Sequence, residues 1–487
     1  MIDREDKKLN LYDKLLDYSK SDVYPMHMPG HKRNDQFLNH VNPYLIDVTE
    51  IDGFDNLFHA EGILKEAMKR AAKLYGSKYS NFLLGGSSAG ILSGISACTK
   101  KGDKVLVSRN CHKSVYNAIY LNELRPVYIY PQIDKDYGID CGINPDEIKE
   151  MLIKHNDIKL IIITSPTYEG VVSDIKGISD IAHEYNVPVF VDEAHGAHLG
   201  LHEYFPDNSI KLGADIVVHS LHKTLPSFTQ TGLLHVNSSL VDYERVKEYL
   251  SIYQSTSPSY VLMAGIDRCI DLLSKKAYEL FESYVKRIED FYSKIGSLKH
   301  LRVIRRENDN FFDFDPSKIL ISVRNTNISG MDLYKTLLDK YKVQVEMASK
   351  DYVIAMTSIC DTDLGFNRLA DALLEIDREL KEKYQKDNKN VKEALDFDLN
   401  TLYRDAEMVM TSFEAKNSKL EEIPFEMSKG RVTGEYIYLY PPGIPMLVPG
   451  ERITSRHIIQ LQRCRDLGLS VQGLEDYTMK EIRVIEE

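Results

Sequence analysis

The stretch Ala214–Gly232, ADIVVHSLHKTLPSFTQTG, opens on a short apolar run, Ile216–Val218, and ends it in Ser220, His222, Lys223 and Thr224. A run of this length and β-branched content reads as a buried strand. Upstream, Val189–His198, VFVDEAHGAH, repeats the design, with an apolar run that ends at Asp192. Working outward, further runs fall at Asn81–Leu84, Val105–Val107, Pro126–Tyr130, Leu160–Thr164, Val187–Val191 and Leu233–Val236. Between them lie stretches with helical spacing of apolar residues, such as Ile178–Tyr185. Strands alternating with helices predict an α/β fold, here a mostly parallel seven-stranded sheet covered on both faces. In such sheets ligands bind beyond the carboxyl ends of the strands. Asp192, Ser220, His222 and Lys223 stand at those ends.

A helix, Glu61–Tyr75, leads into the sheet, with Ile63, Leu64, Ala67, Met68, Ala71 and Leu74 on one face and Gly76 as its stop. After Ser239 the pattern turns helical, notably over Tyr260–Ile295. A smaller α+β unit follows, with strands at Ile319–Val323, Val343–Glu346 and Val353–Thr357 around a helix at Met331–Tyr341. Lys381–Lys392 is polar and charged, as a linker or the exposed end of a helix would be. Beyond it comes a tail unit with a Pro/Gly-rich loop, Tyr440–Glu451. The expected divisions are 1–60, 61–298, 299–385 and 393–487. A chain of 487 residues is too long for one ordinary core, and several domains agree with that.

Composition narrows the function classes. With 43% hydrophobic and 28% charged residues the chain has the balance of a soluble globular protein. It has no apolar run long enough to span a bilayer, and the charged start MIDREDKKLN does not read as a signal peptide. A cytoplasmic location is therefore expected. The six cysteines form no CxxC pair, so neither a zinc site nor a disulfide framework is expected. A formal net charge of −12 without a basic block argues against a nucleic-acid partner.

Four stretches carry chemistry. A lysine at a strand end, such as Lys223, can form an imine with an aldehyde cofactor if its amine is desolvated. Alone it reads first as an ordinary surface lysine at a strand end. Asp192 could hold a pyridinium nitrogen protonated, or cap a helix, or bind a metal; His195 could be a structural histidine. In NFLLGGSSAGILSG (Asn81–Gly94) a strand runs into Gly85–Gly90 and then a helix, which suits an anion held by the helix amino end and by Ser87 and Ser88. The stretch lacks the GxxxxGK[ST] pattern of nucleotide triphosphatases. In SRNCHKSVYNA, His112 follows the strand Val105–Val107, where it could stack on an aromatic cofactor or simply occupy a loop.

Together the four stretches resemble fold type I pyridoxal-phosphate enzymes, and within them the Orn/Lys/Arg decarboxylases. The resemblance extends to MHMPGHK (Met26–Lys32), DVTEIDGFDNLFHAEG (Asp47–Gly62), TSPTYEGVVSDI (Thr164–Ile175), QSTSPSY (Gln254–Tyr260) and LYPPGIPMLVPGE (Leu439–Glu451). It implies pyridoxal 5'-phosphate as cofactor, carried by Lys223 in the large domain. Asp192 then pairs with the ring nitrogen, His195 sits near the ring hydroxyl and His112 stacks on the ring. Ser87, Ser88, the Ala89 backbone, Ser220 and His222 hold the phosphate. Thr256 and Ser257 reach that phosphate from a neighbouring subunit, so a homodimer or larger homo-oligomer is implied. The larger members begin with a flavodoxin-like domain, whereas this sequence looks like the compact form. The implied reaction is decarboxylation of arginine or lysine, less readily ornithine, to agmatine, cadaverine or putrescine.

Two rivals stand beside this reading. One is another fold type I enzyme, an aminotransferase or acyl-transferring synthase, against which the PGHK head and PPGIP tail argue. The other is a catalytically silent regulatory paralogue, against which Lys223, Asp192 and His112 argue. A cationic substrate also needs an anionic partner, expected among Asp47, Glu50, Asp52, Asp55 and Glu435.

Overall fold

All seven apolar runs become strands of a single sheet in the structure, a computed structural model that describes residues 11–37, 42–307, 310–386, 402–439, 443–466 and 470–487. They are β1 (Tyr79–Leu83), β2 (Lys104–Ser108), β3 (Arg125–Ile129), β4 (Ile158–Thr164), β5 (Val189–Asp192), β6 (Ile216–His219) and β7 (Gly232–Val236). Their order across the sheet is β1-β7-β6-β5-β4-β2-β3. Only β7 runs antiparallel to its neighbours. Every residue of β5, β6 and β7 is buried, as expected of strands covered on both faces. In register, Thr164 of β4 faces Asp192 of β5, and Asp192 faces Val218 of β6. Three adjacent strand ends thus open on one spot.

The lead-in helix runs over Ile63–Tyr75 and closes at Gly76, whose φ of 79° lets its N–H bond back to Ala72. Its buried stripe is Leu64, Ala67, Ala71, Ala72 and Tyr75, while Ile63 is exposed. Leu64, Ala67, Ala71 and Tyr75 recur at intervals of three and four, and Ile63 lies outside that stripe. The helix expected after Ser239 spans Tyr260–Lys294 and is capped by Ser259.

In the smaller unit, Arg302–Val303, Lys318–Ser322, Tyr352–Met356 and Met347–Ala348 form an antiparallel sheet in that order. The helix beside it, Gly330–Asp339, starts on a capping box between Ser329 and Asp332. Val343–Val345 pairs not with this sheet but in parallel with Tyr24–Met26, so the amino-terminal segment is stitched onto the small unit. The same segment places Lys32 in the interior, where Nζ donates to the carbonyls of His27 and Met356 at 2.8 and 2.6 Å.

The helix Asp363–Lys386 continues into Lys381–Lys392, whose last residues lie outside the described part. The carboxy-terminal unit packs around Leu402, Tyr403, Phe425, Leu447, Leu461 and Val484. Of the loop Tyr440–Glu451, residues 440–442 lie outside the described part, Pro445–Leu447 forms a strand and Glu451 opens another. Among the described residues no helix is long and apolar enough to cross a membrane. The six cysteines are unpaired.

Candidate active site

β5 and β6 each release a functional side chain at their carboxyl ends. Asp192 is the last residue of β5, and its Oδ1 accepts the Ala194 N–H at 3.1 Å. β6 passes through Ser220 into a single helical turn, Leu221–Thr224, which carries His222 and Lys223. That turn is braced from behind by the PGHK segment: the Gly30 N–H donates to the His222 carbonyl at 2.7 Å. A Cβ at Gly30 would lie 2.7 Å from backbone atoms of both Thr224 and Leu225, so only glycine lets the two loops touch.

Lys223 opens into a cavity of about 440 Å³, within the range of small-molecule and cofactor sites. Its walls bring together Ser87, Ser88, His112, Asp192, His195, Ser220, His222 and Lys223 from four separate stretches of sequence. Ala89 lies just behind, buried in the helix Gly86–Cys98. That helix begins at Gly86, which needs a φ of 69° to turn the chain off β1. The Gly86 N–H donates to the Gln230 carbonyl at 2.9 Å, and the partial positive charge of the helix start favours an anion there.

Electrostatics sharpen the picture. Burial pushes Lys223 down from the ordinary lysine range, against the pull of Asp192 and Glu346. Burial pushes Asp192 up, and Lys223 and the Ala194 N–H work against it. Both shifts come from desolvation of the charged form, partly offset by the opposite charge. His112 caps the helix Lys113–Leu121, its Nδ1 accepting the Ser114 N–H at 3.3 Å. Burial, with Lys223 and Lys113 adding, pulls His112 down to about 3, so its ring is neutral. Ser114 Oγ in turn donates to Ser88 Oγ at 2.9 Å. His222 Nδ1 lies 3.0 Å from the Thr231 carbonyl.

His195 occupies the middle of the site. Its Nε2 lies 3.0 Å from Lys223 Nζ and its Nδ1 lies 2.9 Å from Lys318 Nζ. The Tyr168 ring meets it edge-on at 4.9 Å between centroids. Tyr168 donates its hydroxyl to Glu346 Oε1 at 2.9 Å, and the Met28 N–H donates to Oε2 at 2.7 Å. Glu169 also lines the cavity and accepts the Tyr352 hydroxyl at 2.9 Å. Lys318, Tyr168, Glu169 and Glu346 are site residues that sequence reasoning did not single out. Their signal was available: Lys318 and Glu346 are charges abutting apolar strands, and Tyr168-Glu169 sits inside TSPTYEG.

Other expected residues lie elsewhere. Thr256 and Ser257 are exposed on the loop between the helices Tyr243–Tyr253 and Tyr260–Lys294 and do not line this chain's cavity. Gln254 anchors that loop to the end of β1, its Oε1 accepting the Leu84 N–H at 2.8 Å. None of the five carboxylates expected to read a substrate cation lines the cavity either. Asp47, Glu50 and Asp52 are exposed. Asp55 accepts N–H groups from Asn56, Glu61, Gly62 and Leu64, fixing the start of the lead-in helix. Glu435 is buried in the carboxy-terminal unit and accepts the N–H groups of Glu475 and Arg483.

One buried group fits a ligand not yet named. Ser220 Oγ has no hydrogen-bond partner, although it lines the same cavity as Ser87 and His222. An unpaired buried hydroxyl is costly. An anion at the Gly86 helix end would satisfy it.

Comparison with known proteins gives a consistent set. The sequence pattern of the Orn/Lys/Arg decarboxylase major domain matches residues 10–353, and that of the Orn/Lys/Arg decarboxylase C-terminal domain matches residues 399–475. An arginine decarboxylase of Bacillus anthracis is 33% identical over 98% of this chain and 97% of its own length. Protein YaaO of Bacillus subtilis, uncharacterised, is 37% identical over 98% of both chains. The crystal structure of the lysine decarboxylase LdcF of Francisella novicida superposes with a TM-score of 0.74 at 21% identity, covering 97% of this chain and 80% of that one. At that identity the likeness bears on the fold.

Proposed function

The chain belongs to the Orn/Lys/Arg decarboxylase family, and from that premise we propose that it decarboxylates arginine to agmatine and carbon dioxide. As a member of the family it is a pyridoxal-phosphate-dependent amino-acid decarboxylase with the α/β fold of fold type I enzymes. The choice of arginine is supported by relatives that carry that name at 33% identity across the whole chain. Lysine is the second reading, since the family acts on both.

The residues of the cavity fit the cofactor. Lys223 supplies a buried amine to hold its aldehyde carbon, and Asp192 a buried carboxylate to hold its ring nitrogen protonated. The unpartnered Ser220 hydroxyl, Ser87, Ser88, the Ala89 backbone and His222 surround the place for its phosphate, at the amino end of the Gly86 helix. Thr256 and Ser257 complete that place from a second subunit, in a homodimer. When bound, the protonated ring takes up the electron pair left as carbon dioxide departs.

The chain's own groups set the rest. His112, neutral, offers a flat face and no charge to compete with the ring. Lys223 is the amine from which a proton could be returned to the substrate α-carbon. Orienting the scissile bond across the ring is what separates decarboxylation from transamination. Glu169 and Glu346 are carboxylates on the cavity wall from which a guanidinium can be held. The observation that carries the reading is half-buried Lys223 and buried Asp192, at and just beyond the ends of neighbouring parallel strands in one cavity.

The test is an assay of purified protein with arginine, lysine and ornithine, following carbon dioxide and the amine product. Arginine should give the highest kcat/KM. Faster turnover of lysine or ornithine would overturn the choice of substrate, and no turnover of any would overturn the reaction.

A further inference from the structure

Lys318 opens the strand Lys318–Ser322, and none of its surface reaches solvent. Its stem is tightly enclosed: a Cβ at Gly170 would lie 2.8 Å from Lys318 Cγ. Lys318 Nζ and Lys223 Nζ contact opposite nitrogens of the same imidazole, that of His195, at 2.9 and 3.0 Å. A neutral imidazole has one N–H and one lone pair. Two ammonium groups cannot both donate to it, so with both contacts made one of the two amines is neutral. A protonated ring between two neutral amines is opposed by burial and by Lys223, Lys318, His112 and His222, which together hold His195 well below the ordinary histidine range. The two lysines therefore hold at most one excess proton between them.

We infer that Lys318 is the proton acceptor for Lys223, acting through His195. Lys223 Nζ gives a proton to His195 Nε2, the ring gives its Nδ1 proton to Lys318 Nζ, and Lys223 is left as a free amine able to attack an aldehyde. One N–H bond breaks and one forms at each exchange, the ring changes tautomer, and the total charge stays constant. Reversal returns the proton to Lys223. Lys318 is thus a positioning residue that touches neither substrate nor cofactor. The inference rests on the reading of Lys223 as the amine that holds the cofactor.

The surroundings suit a proton store. Burial, with Lys223 adding and Asp315 opposing, brings Lys318 down to about 8, close enough to neutrality to accept or release. Burial pushes Asp315 up, but His198, Ser317 and Lys318 outweigh it, so a carboxylate is available to balance an ammonium at Lys318. Glu346 and Lys32 also face Lys318, and Asp192 and Glu346 face Lys223. Tyr168 closes on His195 from the side.

The test uses the full-length chain stripped of cofactor and mixed with pyridoxal 5'-phosphate, following the rate at which the visible band of the bound cofactor appears between pH 6 and 9. In the wild type the neutral fraction of Lys223 is set inside the protein and changes little with pH until Lys318 itself fills from the bulk, below about 8. In Lys318→Met it is set by the bulk. The ratio of variant to wild-type rate, in which the aldehyde's own titration cancels, should therefore fall by about tenfold per pH unit below the Lys223 pKa until Lys318 fills. A role confined to packing would lower the ratio by one constant factor, and a constant ratio overturns the inference. Lys318→Gln carries the same expectation, because an amide neither carries the charge nor accepts the proton, and stands in should the methionine variant fail to fold. If no band forms in the wild type, or if it survives Lys223→Ala, the cofactor reading fails instead.

Discussion

The Arg109 guanidinium donates to both carboxylate oxygens of Glu451, at 3.2 and 3.0 Å, with neither side chain reaching solvent appreciably. Arg109 comes just before His112 on the loop after β2, and Glu451 belongs to the carboxy-terminal unit. The pair thus fastens the tail to the loop that carries a cavity residue. Arg109 also donates to the Pro445 carbonyl and the Tyr116 hydroxyl, and lies against the rings of Tyr116, Tyr128 and Tyr403. Removing one partner of such a pair leaves an uncompensated buried charge. Glu451→Gln should cost about 3–5 kcal/mol of stability, measured by urea unfolding, and the double variant Arg109→Met/Glu451→Gln should recover part of it. A loss below about 1 kcal/mol in the single variant would show the pair to be dispensable.

Gly30→Ala tests the brace behind Lys223. Its methyl group would sit against Thr224 and Leu225 backbone, which cannot swing aside as a side chain can. The expected cost is about 1–3 kcal/mol, with weaker cofactor uptake because the Lys223 turn moves. An unchanged Tm together with unchanged uptake would remove this role.

The strands and the cavity residues that follow them were legible because each rests on a local pattern. A buried apolar run that stops at Asp192 or before Lys223 announces both the strand and the residue at its mouth. What was not legible depends on contacts across long stretches of chain. Lys318 meets His195, and Glu346 meets Tyr168, only once the small unit is folded over the sheet. Val343–Val345 looked like one more strand of the small sheet, yet backbone pairing gave it to Tyr24–Met26. The acidic run from Asp47 to Asp55 lies off this chain's own cavity, and composition alone does not distinguish a carboxylate that binds ligand from one that fixes a helix start, as Asp55 does.

Lys223→Ala should abolish turnover and the visible cofactor band while leaving the fold intact, since the truncated side chain ends in the cavity rather than in packed core. Asp192→Asn should keep the cofactor but lose about a hundredfold or more in kcat, because an amide cannot hold the ring nitrogen protonated. A loss below about tenfold, roughly 1.4 kcal/mol of barrier, sinks the assignment of Asp192. Circular dichroism on both variants separates these effects from unfolding.

Asp140 gives a pH signature. It is buried beneath Tyr403, whose hydroxyl donates to it at 2.9 Å, and burial with the nearby Glu169 charge pushes its carboxyl up to about 8. A carboxyl whose folded pKa lies above its unfolded value, about 3.9, favours folding while protonated. Its contribution is full below the unfolded pKa and is lost as pH rises from about 4 to about 8. Asp140→Asn removes that titration. The variant should unfold with a flatter stability profile over this window, and its stability relative to wild type should rise toward pH 8. A parallel pair of profiles would show that Asp140 does not titrate there.

The last prediction concerns which carboxylates read the substrate's distal cation. Glu169 and Glu346 line the cavity, whereas Asp47, Glu50, Asp52, Asp55 and Glu435 do not line it in this chain. Each of the two wall carboxylates keeps acceptor capacity beyond its protein partners, and a guanidinium leaving water for a partly dry pocket needs a charged, planar partner. Burial holds the Glu169 carboxyl above its ordinary range, against the hydrogen bonds from Tyr352 and Thr167. A bound cation would favour its ionised form, so arginine binding should release a proton and tighten as pH rises through that range. Glu169→Gln and Glu346→Gln should each raise KM for arginine by about tenfold or more, the scale of one hydrogen bond to a charged group, with the cofactor band retained. Neutralising Asp47, Glu50, Asp52, Asp55 and Glu435 one at a time tests the alternative that a neighbouring subunit supplies the anion. A rise in KM confined to one of those five, with both wall variants unchanged, would move the cation site out of this chain's own cavity and onto the subunit interface.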